Sequence, residues 1–495
     1  MSGARSATVP DFNLQTLDSL GVPLTGATLD SRTVKPGDLF LACQGTRSDG
    51  RHFISQAIEG GASAVLWEAD NFAWDADWKV PHLGVRDLAL HAGPIASHVY
   101  GHPSRDMWMM GVTGTNGKTS CSHWIAQSMA HLGRKTAVIG TLGNGFPGEL
   151  SAATHTTPDA VTLQAQLADF RAQGARAIAM EVSSHGLDQG RINGVKFDVA
   201  LFTNLSRDHL DYHGDMAAYG AAKARLFRWP GLKGAVINID DAFGKSLAES
   251  LDGQLPGVLR YGLGGGDIAA HRLDLSTRGL KLEIRTSRWG AANLECPVIG
   301  AFNAVNLLGA LGVLLSSQVT LQDSATALAN VRPVAGRMQL VREEGAPLVV
   351  VDYAHTPDAL QKVLETLAGL KQSGSRLHCV FGCGGDRDAG KRPIMGGIDT
   401  RLADRCVITS DNPRGEDPRA IIEAIASGAQ GQYRIEPDRA AAIHDAIAHA
   451  AAADVILIAG KGHENYQEIA GNRFPFDDVS VARAELGEYA RSTHA

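Results

Sequence analysis

The residues with the clearest chemistry form one glycine-rich segment, Thr113-Gly114-Thr115-Asn116-Gly117-Lys118-Thr119. The apolar run Met107 to Val112 before it predicts a buried strand, and Thr119 to Leu132 after it predicts a helix. In such a turn, backbone N–H groups point at phosphate oxygens. Lys118 would neutralise the terminal phosphates, and the Thr119 hydroxyl would bind Mg²⁺. The segment therefore predicts a site for ATP or GTP.

This segment departs from the general phosphate-loop pattern at one position. Val112 stands where the pattern G-x-x-x-x-G-K-[ST] has its first glycine. The alternative is a chance Gly-Lys-Thr turn that binds no nucleotide. The flanking strand and helix favour the phosphate loop.

Polar residues follow two further apolar strands of the middle segment. Glu181 closes the run Ala177 to Met180, and Val199 to Phe202 leads into Thr203–His213, which is dense in polar donors. Carboxylate, hydroxyl and imidazole groups at strand ends suit a magnesium-bound phosphate. The candidates are Thr119, Glu181, Asp208 and His209. The alternatives are that Glu181 caps the following helix and that His209 is a surface histidine.

In the last third of the chain, Asp411-Asn412-Pro413-Arg414 directly follows a predicted strand, Cys406 to Thr409. The proline makes the turn rigid. An acid, an amide and an arginine there could recognise an amine and a carboxylate together, because arginine grips a carboxylate with two parallel hydrogen bonds. Arg387 and Glu464 follow neighbouring strands. The alternative is an Asn-Pro turn with a surface ion pair.

Two further features are ambiguous from the residues alone. Lys223, in an alanine-rich helix, is typical of a lysine that faces solvent. Asn303 and Asn306 lie three residues apart on one face of a helix predicted to begin near Ala301, where they could bind a ligand or cap the helix.

The order of strands and helices predicts an α/β protein of three domains, at residues 1–103, 104–334 and 335–495. We expect a central P-loop ATPase-like parallel sheet and a C-terminal Rossmann-like doubly wound sheet. Alternation of apolar and polar residues over Leu280 to Ile284 predicts an antiparallel excursion. The C-terminal part has no G-x-G-x-x-G followed by a ribose-binding acid, which argues against a nicotinamide site.

Composition restricts the partners. The 495 residues are 44% hydrophobic and 20% charged, with a net charge of −7, 6% aromatic residues and no long Lys/Arg cluster, so no nucleic-acid partner is expected. Six cysteines without a CxxC pair suit a reducing compartment; a metal site at Cys379 and Cys383 is less favoured than buried thiols. Without an apolar leader or an 18-residue apolar run, we expect a cytoplasmic monomer that does not insert into membranes.

Taken together, the motifs resemble the Mur ligase family, which builds the peptide of bacterial peptidoglycan. The matching segments span nearly the whole chain: Leu29–Arg32, Thr113–Thr119, Glu181–Leu187, Phe202–His213, Gly336–Met338, Asp352–Asp358, Phe381–Pro393, Asp411–Arg414 and Gly460–Glu464. The resemblance implies an ATP-dependent amide ligase. The Asp-Asn-Pro-Arg form implies addition of meso-diaminopimelate to UDP-N-acetylmuramoyl-L-Ala-D-Glu through an acyl phosphate.

The resemblance also assigns residues to each substrate. For ATP it implies Gly114, Thr115, Asn116, Gly117, Lys118, Thr119, Ser120, Asn303, Arg337 and Asp352. For the UDP-N-acetylmuramoyl dipeptide it implies Leu29, Ser31, Thr46, Arg47, Ser48, His155, Thr156, Thr157, Ser183, Gln189 and Arg191. For meso-diaminopimelate it implies Arg387, Asp411, Asn412, Pro413, Arg414, Gly460 and Glu464.

Only the resemblance gives Lys223 a role. In this family the corresponding lysine is carbamylated by CO₂, which turns a cation into an anion that can hold Mg²⁺. The implied metal ligands are Thr119, Glu181, His209 and the Lys223 carbamate. The implied catalytic residues are Lys118, Glu181, His209 and Lys223.

Two other functions fit the sequence less well. A folylpolyglutamate synthase shares the superfamily, but Asp30-Ser31-Arg32 and the Asp411–Arg414 motif argue against it. A nucleotide-switched binding protein without bond-forming chemistry is disfavoured by the polar residues at so many strand ends.

Overall fold

The described residues fold around three large sheets that follow one another in sequence, with a small two-stranded hairpin near the end, and the predicted α/β class is confirmed. The computed structural model describes residues 12–45 and 48–493. Thr46 and Arg47, implied above to contact the dipeptide substrate, lie outside these residues. No helix in the described ranges combines the length and apolar character needed to cross a membrane.

The first sheet has four parallel strands in the order β1-β2-β3-β4, with small apolar clusters on both faces. Gly50–Phe53 forms a 3₁₀ turn directly before the first helix of this unit, which begins at Ile54. The strands are Gly26–Thr28 (β1), Asp38–Ala42 (β2), Ala64–Glu68 (β3) and His82–Val85 (β4), and the helices are Ile54–Glu59 (α1) and Leu88–Val99 (α2).

The central sheet has eleven strands in the order β15-β14-β13-β12-β11-β10-β5-β9-β6-β7-β8. The strands are Trp108–Thr113 (β5), Thr136–Gly140 (β6), Gly143–Phe146 (β7), Glu149–Ser151 (β8), Ala177–Glu181 (β9), Val199–Phe202 (β10), Gly234–Asn238 (β11), Val258–Gly262 (β12), Ile268–Ser276 (β13), Gly279–Thr286 (β14) and Gly290–Cys296 (β15). The helices are Lys118–His131 (α3), Ala160–Ala172 (α4), Ser184–Asp188 (α5), Leu210–His213 (α6), Met216–Ala224 (α7), Ala242–Ser250 (α8), Ala301–Ser316 (α9) and Leu321–Ala329 (α10).

The middle of this sheet is parallel and buried on both faces, as its Val/Ile-rich strands predict. The chain winds to opposite sides of β5, so the carboxyl end of β5 lies at a topological switch point, where α/β sheets bind ligands. The predicted antiparallel excursion is confirmed: β14 pairs antiparallel with β13 and β15, and its residues alternate between buried and exposed.

The third sheet has the order β16-β17-β21-β18-β19-β20, parallel except for β16, with helices on both faces. The strands are Gln339–Val341 (β16), Leu348–Asp352 (β17), Leu377–Phe381 (β18), Arg405–Ile408 (β19), Tyr433–Ile435 (β20) and Val455–Ala459 (β21), followed by a hairpin of Tyr466–Ile469 (β22) and Asn472–Pro475 (β23). The helices are Pro357–Leu370 (α11), Lys391–Leu402 (α12), Pro418–Ala426 (α13), Arg439–Ala448 (α14) and Asp478–Thr493 (α15).

Helix α11 shows how local sequence positions the site. Its N-cap Thr356 accepts a hydrogen bond from the backbone of Ala359, and Pro357 occupies the first helical position, where no N–H is needed. The apolar face of α11 packs on the third sheet. The cap therefore fixes the start of α11 beside the end of β17.

Candidate active site

The predicted phosphate loop lies between β5 and α3, at the carboxyl edge of the central sheet. Its last glycine, Gly117, is the N-cap of α3 and supplies no side chain, so the first N–H groups of the helix stay available for an anion. The segment that follows β10 supports the loop: the N–H of Thr115 donates to the Asn204 carbonyl at 2.8 Å, and that of Asn116 donates to Asn204 Oδ1 at 2.9 Å.

Gly114 has no room for a side chain. Its φ is +147°, and a Cβ there would come within 1.9 Å of Thr203 Oγ1 and 3.0 Å of the Asn204 nitrogen. This close approach between loop and strand end requires glycine. Val112, the departure from the general pattern, is a fully buried residue of β5.

Two lysines converge on the Gly114 carbonyl. Lys118 Nζ donates to the carbonyls of Gly114 and Thr115, each at 2.9 Å, and Lys223 Nζ donates to the Gly114 carbonyl, also at 2.9 Å. Lys223 is 1% exposed, so the interpretation of a solvent-facing lysine is wrong. Burial, together with the nearby Lys118 charge, lowers the pKa of Lys223 well below its usual value.

Glu181 lies at the end of β9, fully buried. Its two oxygens accept hydrogen bonds from the N–H and the hydroxyl of Thr141, at 2.9 and 3.0 Å. Ser183, not Glu181, caps the following helix, by accepting from the Gly186 N–H at 3.0 Å. The alternative reading of Glu181 as a helix cap is therefore wrong, and its carboxylate faces the cavity beside the phosphate loop.

His209 lines the same cavity with a neutral ring. Its Nε2 lies 3.3 Å from Asp208 Oδ2, yet partial loss of hydration lowers the pKa of His209 below its usual value, and the nearby His185 and Lys118 act in the same direction. An unprotonated imidazole can ligate a metal. Within residues 12–45 and 48–493, no three His, Cys, Asp or Glu side chains form a metal cluster by themselves.

The residues present nevertheless fit Mg²⁺ bound together with a phosphate. Glu181 offers a buried carboxylate, Thr119 a hydroxyl beside the loop, and His209 an unprotonated nitrogen. Magnesium is commonly held by one or two protein oxygens plus substrate phosphates.

A cavity of about 790 Å³ joins the central and third sheets. From the third sheet it is lined by Arg337, Asp352, Tyr353 and His355. Arg337 Nη2 donates to Thr119 Oγ1 at 3.2 Å, which bridges the two sheets at the phosphate loop. Asp352 Oδ2 accepts from the Met338 N–H at 2.7 Å, and burial raises the pKa of Asp352 to about 6.

The sequence leaves open whether Asn303 and Asn306 bind a ligand or cap α9. They do not cap the helix, since Gly300 is its N-cap. Both asparagines are buried and line the cavity. Asn306 donates to Asn303 Oδ1 at 3.2 Å, and Asn303 donates to the Ile299 carbonyl at 2.8 Å. Their orientation toward the cavity favours the ligand-binding reading.

The residues implied for the muramoyl dipeptide form a network beside Glu181. The Thr157 hydroxyl lies 3.0 Å from that of Ser183, and Arg191 donates to the Thr157 carbonyl at 2.9 Å and to Gln189 at 2.9 Å. Thr156 lies 3.0 Å from Thr141. His155 is exposed at the edge of this group.

In the first sheet the implied uridine contacts differ in exposure. Leu29 is 36% exposed and Ser48 is exposed, whereas Ser31 is buried and donates to Gln56 at 2.8 Å. Ser31 therefore already has a protein partner, and Leu29 offers an apolar surface.

The implied acceptor residues meet at the carboxyl ends of β19 and β21. Asn412 Nδ2 donates to Glu464 Oε2 at 2.7 Å, and Lys461 Nζ donates to Asn412 Oδ1 at 3.0 Å. Gly460 leaves space for Asp411, because a Cβ there would lie 2.5 Å from Asp411 Oδ2. Burial and the Asp411 charge raise the pKa of Glu464.

The two arginines implied for the acceptor differ. Arg414, next to Pro413, has a φ of +51°, and its guanidinium donates to the Gly385 carbonyl at 2.8 Å. Arg387 is exposed and donates to the Asp386 carbonyl at 3.0 Å. Arg414 is held within the site, which excludes the reading of a simple surface ion pair for this motif.

Several residues that lie at or beneath the site are not predicted by the sequence patterns. Lys391 donates to the His355 carbonyl at 2.8 Å, and the fully buried pair Arg439–Asp478 lies beneath the acceptor residues. Arg439 also donates to the Ala459 carbonyl at 3.0 Å, one residue before Gly460. For Lys223 a signal existed: Tyr219, four residues earlier on the same helix face, is buried with it.

Comparison with known proteins agrees with this geometry. Three family descriptions match: "Mur ligase family, catalytic domain" at residues 23–100, "Mur ligase middle domain" at 112–314, and "Mur ligase, glutamate ligase domain" at 336–462. UDP-N-acetylmuramoyl-L-alanyl-D-glutamate--2,6-diaminopimelate ligases are similar to the chain: that of Chromobacterium violaceum is 54% identical, covering 99% of both chains, and that of Pseudomonas aeruginosa is 50% identical, covering 93% and 95%.

Solved structures are also similar to this chain. A structure named for the same ligase is 38% identical with a TM-score of 0.68, covering 94% of this chain and 96% of the other. A Mycobacterium tuberculosis folylpolyglutamate synthase, at 22% identity and a TM-score of 0.63 over 81% and 95% of the two chains, shares the fold alone. With relatives of this identity along nearly its whole length, the chain belongs to the Mur ligase family.

Proposed function

We propose that this protein is an ATP-dependent ligase that joins meso-diaminopimelate to UDP-N-acetylmuramoyl-L-Ala-D-Glu. The observation that carries the proposal is the cavity that unites the phosphate loop with Arg337 and Asp352 of the next sheet. On one side of the loop lies the Thr157–Ser183–Arg191 network, and across Tyr353 lie Glu464 and Asn412. Residues proposed for three ligands, grouped around one cavity, suit a bond-forming enzyme better than a nucleotide switch.

In the first step, the side-chain carboxylate of D-Glu attacks the γ-phosphorus of ATP, and the bond to the β–γ bridging oxygen breaks, releasing ADP. Lys118 leaves its two loop carbonyls to neutralise the phosphate charge, and the N-terminus of α3 donates N–H groups. In the second step, the acceptor amine attacks the acyl carbon, loses a proton and expels phosphate.

Magnesium, when bound, would offset charge on the transferred phosphate. Thr119, Glu181, His209 and a carbamate on Lys223 would hold it. The buried Lys223 supports a carbamate, because its lowered pKa favours the unprotonated amine that adds CO₂. Intact-protein mass spectrometry in bicarbonate tests this directly, with Lys223→Ala as the control; an unmodified wild-type protein and a fully active variant would exclude the carbamate.

Arg414 is proposed to select the acceptor. Diaminopimelate carries a second carboxylate that lysine lacks, and an arginine can grip it bidentately. Asp411 and Glu464 supply negative charge for the ammonium group at the same end of the molecule. Arg387, exposed at the neighbouring strand end, would reach the same carboxylate from solvent.

The deciding assay measures phosphate release from ATP with the UDP-linked dipeptide and either meso-diaminopimelate or L-lysine. We expect release with diaminopimelate and about a hundredfold less with lysine, since an unpaired site arginine disfavours the shorter ligand. No release with either amino acid would exclude the ligase function. Equal release would exclude Arg414 as the selecting residue.

We further propose that the protein acts as a monomer in the cytoplasm. In support, the residues proposed for all three substrates come from one chain. Light scattering coupled to size exclusion tests the oligomeric state: a dimer mass at assay concentration would contradict it.

A further inference from the structure

Tyr353 lies between the cavity and the acceptor residues and contacts a functional group on each side. Its hydroxyl donates to Glu464 Oε1 at 3.3 Å. The guanidinium of Arg337 lies 4.4 Å from the centre of its ring. Arg337 in turn donates to Thr119 of the phosphate loop at 3.2 Å. One side chain therefore touches residues of two different substrate sites.

The Tyr353 hydroxyl contacts one oxygen of the Glu464 carboxylate, Oε1. The other carboxylate oxygen, Oε2, accepts a hydrogen bond from Asn412 Nδ2 at 2.7 Å. The two donors together fix the plane of the carboxylate. Burial, together with the Glu464 charge, raises the pKa of Tyr353, and the phenol stays a donor throughout the physiological range.

The aromatic ring of Tyr353 packs against the guanidinium of Arg337. A guanidinium over an aromatic face is attracted by the electrons of the ring, and the attraction is stronger where water is excluded. The ring centres of His355 and His463 lie 4.6 and 5.2 Å from the ring centre of Tyr353. Both histidines stay neutral, because burial lowers the pKa of His355 to about 4 and that of His463 to about 3. They confine the tyrosine ring without adding charge that would repel Arg337.

We propose that Tyr353 is a positioning residue with two separable tasks: its hydroxyl orients Glu464 for the acceptor amino acid, and its ring seats Arg337 at the phosphate loop. This inference rests on the ligase function proposed above. It assigns to one residue, through two different atoms, the alignment of the acceptor site and of the nucleotide site.

Two substitutions separate the tasks. Tyr353→Phe removes the hydroxyl and keeps the ring, so the KM for diaminopimelate should rise about tenfold, while the KM for ATP and kcat stay within about twofold of wild type. Tyr353→Leu removes the aromatic face as well, so the KM for ATP should also rise, by about three- to tenfold. Tyr433→Phe, on an exposed strand of the same sheet, is the matched control and should leave all three constants unchanged.

A Tyr353→Phe enzyme with wild-type constants, or with both KM values raised equally, would overturn the proposal. An unchanged KM for ATP in folded Tyr353→Leu would overturn the task of the ring. If Tyr353→Leu does not fold, Tyr353→Phe still decides, because its KM values must diverge. Absence of acceptor-dependent phosphate release from the wild-type enzyme is a different result and refutes the ligase function itself.

Discussion

Asp399 provides a stability prediction that depends on burial alone. This residue of α12 is fully buried, and the thiols of Cys379 and Cys406, on adjacent strands, face its carboxyl group. Among the described residues, neither carboxyl oxygen has a standard hydrogen-bond partner. Burial raises the pKa of Asp399 from 3.8 to about 7. The folded protein therefore prefers the neutral acid, whereas the unfolded chain ionises it at lower pH.

The sign and size of the effect follow from linkage. Because the folded-state pKa is raised, the Asp399 contribution is most favourable below the unfolded pKa and is lost as pH rises toward about 7. Roughly three pKa units at about 1.4 kcal/mol each give a cost of up to about 4 kcal/mol near pH 8, and about 1 kcal/mol near pH 4.5. Asp399→Asn keeps the shape without the ionisable group, so it should stabilise the third sheet by amounts that grow over this range.

The assay must report on the third sheet itself. All seven tryptophans lie before residue 290, so their fluorescence does not follow this sheet directly. Amide hydrogen exchange of peptides covering β18 gives the opening free energy at each pH. Asp77→Asn, an exposed substitution of the same type, is the control. A stability gain that is constant with pH, or that shrinks as pH rises, would refute the reasoning.

Three further substitutions test the site. Gly114→Ala should abolish nucleotide binding, measured by calorimetry, because the added Cβ collides with the neighbouring strand end. Gly133→Ala is the control, since Gly133 also has a positive φ but faces open space. It should cost only about 1 kcal/mol of stability and leave nucleotide binding intact. Arg414→Leu should raise the KM for diaminopimelate at least about tenfold without changing the KM for ATP; parallel changes in both would contradict its acceptor role. Asp478→Asn leaves the buried Arg439 charge unpaired, so it should lower the free energy of unfolding by about 3–5 kcal/mol, measured by hydrogen exchange. A loss under about 1 kcal/mol would contradict this.

Much of the architecture could be predicted because it rests on local pattern. Apolar runs such as Ala177–Met180 and Val455–Ala459 lie in strands, the alternation at Leu280–Ile284 lies in an antiparallel strand, and the Gly-Lys-Thr turn lies between a strand and a helix. Because parallel strands end at one edge, polar residues that follow them meet there. The clustering of Glu181 with the phosphate loop follows from this rule.

The rest of the site depends on contacts that no local pattern encodes. Lys223 reaches the Gly114 carbonyl across 109 residues of sequence, and whether a helical lysine points inward depends on how the helix packs. The position of Tyr353 between Arg337 and Glu464 depends on how two sheets adjoin. These residues are common types in ordinary positions, so their roles emerge only from the folded chain.

The hairpin of β22 and β23 has a consequence for how acceptor preference can be changed. Glu468 of β22 accepts from the Arg414 N–H at 2.9 Å and donates its own N–H to Asn412 Oδ1 at 2.9 Å, and Gln467 donates to the Asp411 carbonyl at 3.0 Å. The tetrapeptide Asp411–Arg414, which we propose contacts the acceptor, is thus hydrogen-bonded to a segment more than fifty residues downstream. Grafting Asp411–Arg414 alone into a related ligase would transfer the side chains without the backbone that aims them. A variant meant to transfer acceptor specificity must therefore include the β22–β23 hairpin as well as Asp411–Arg414.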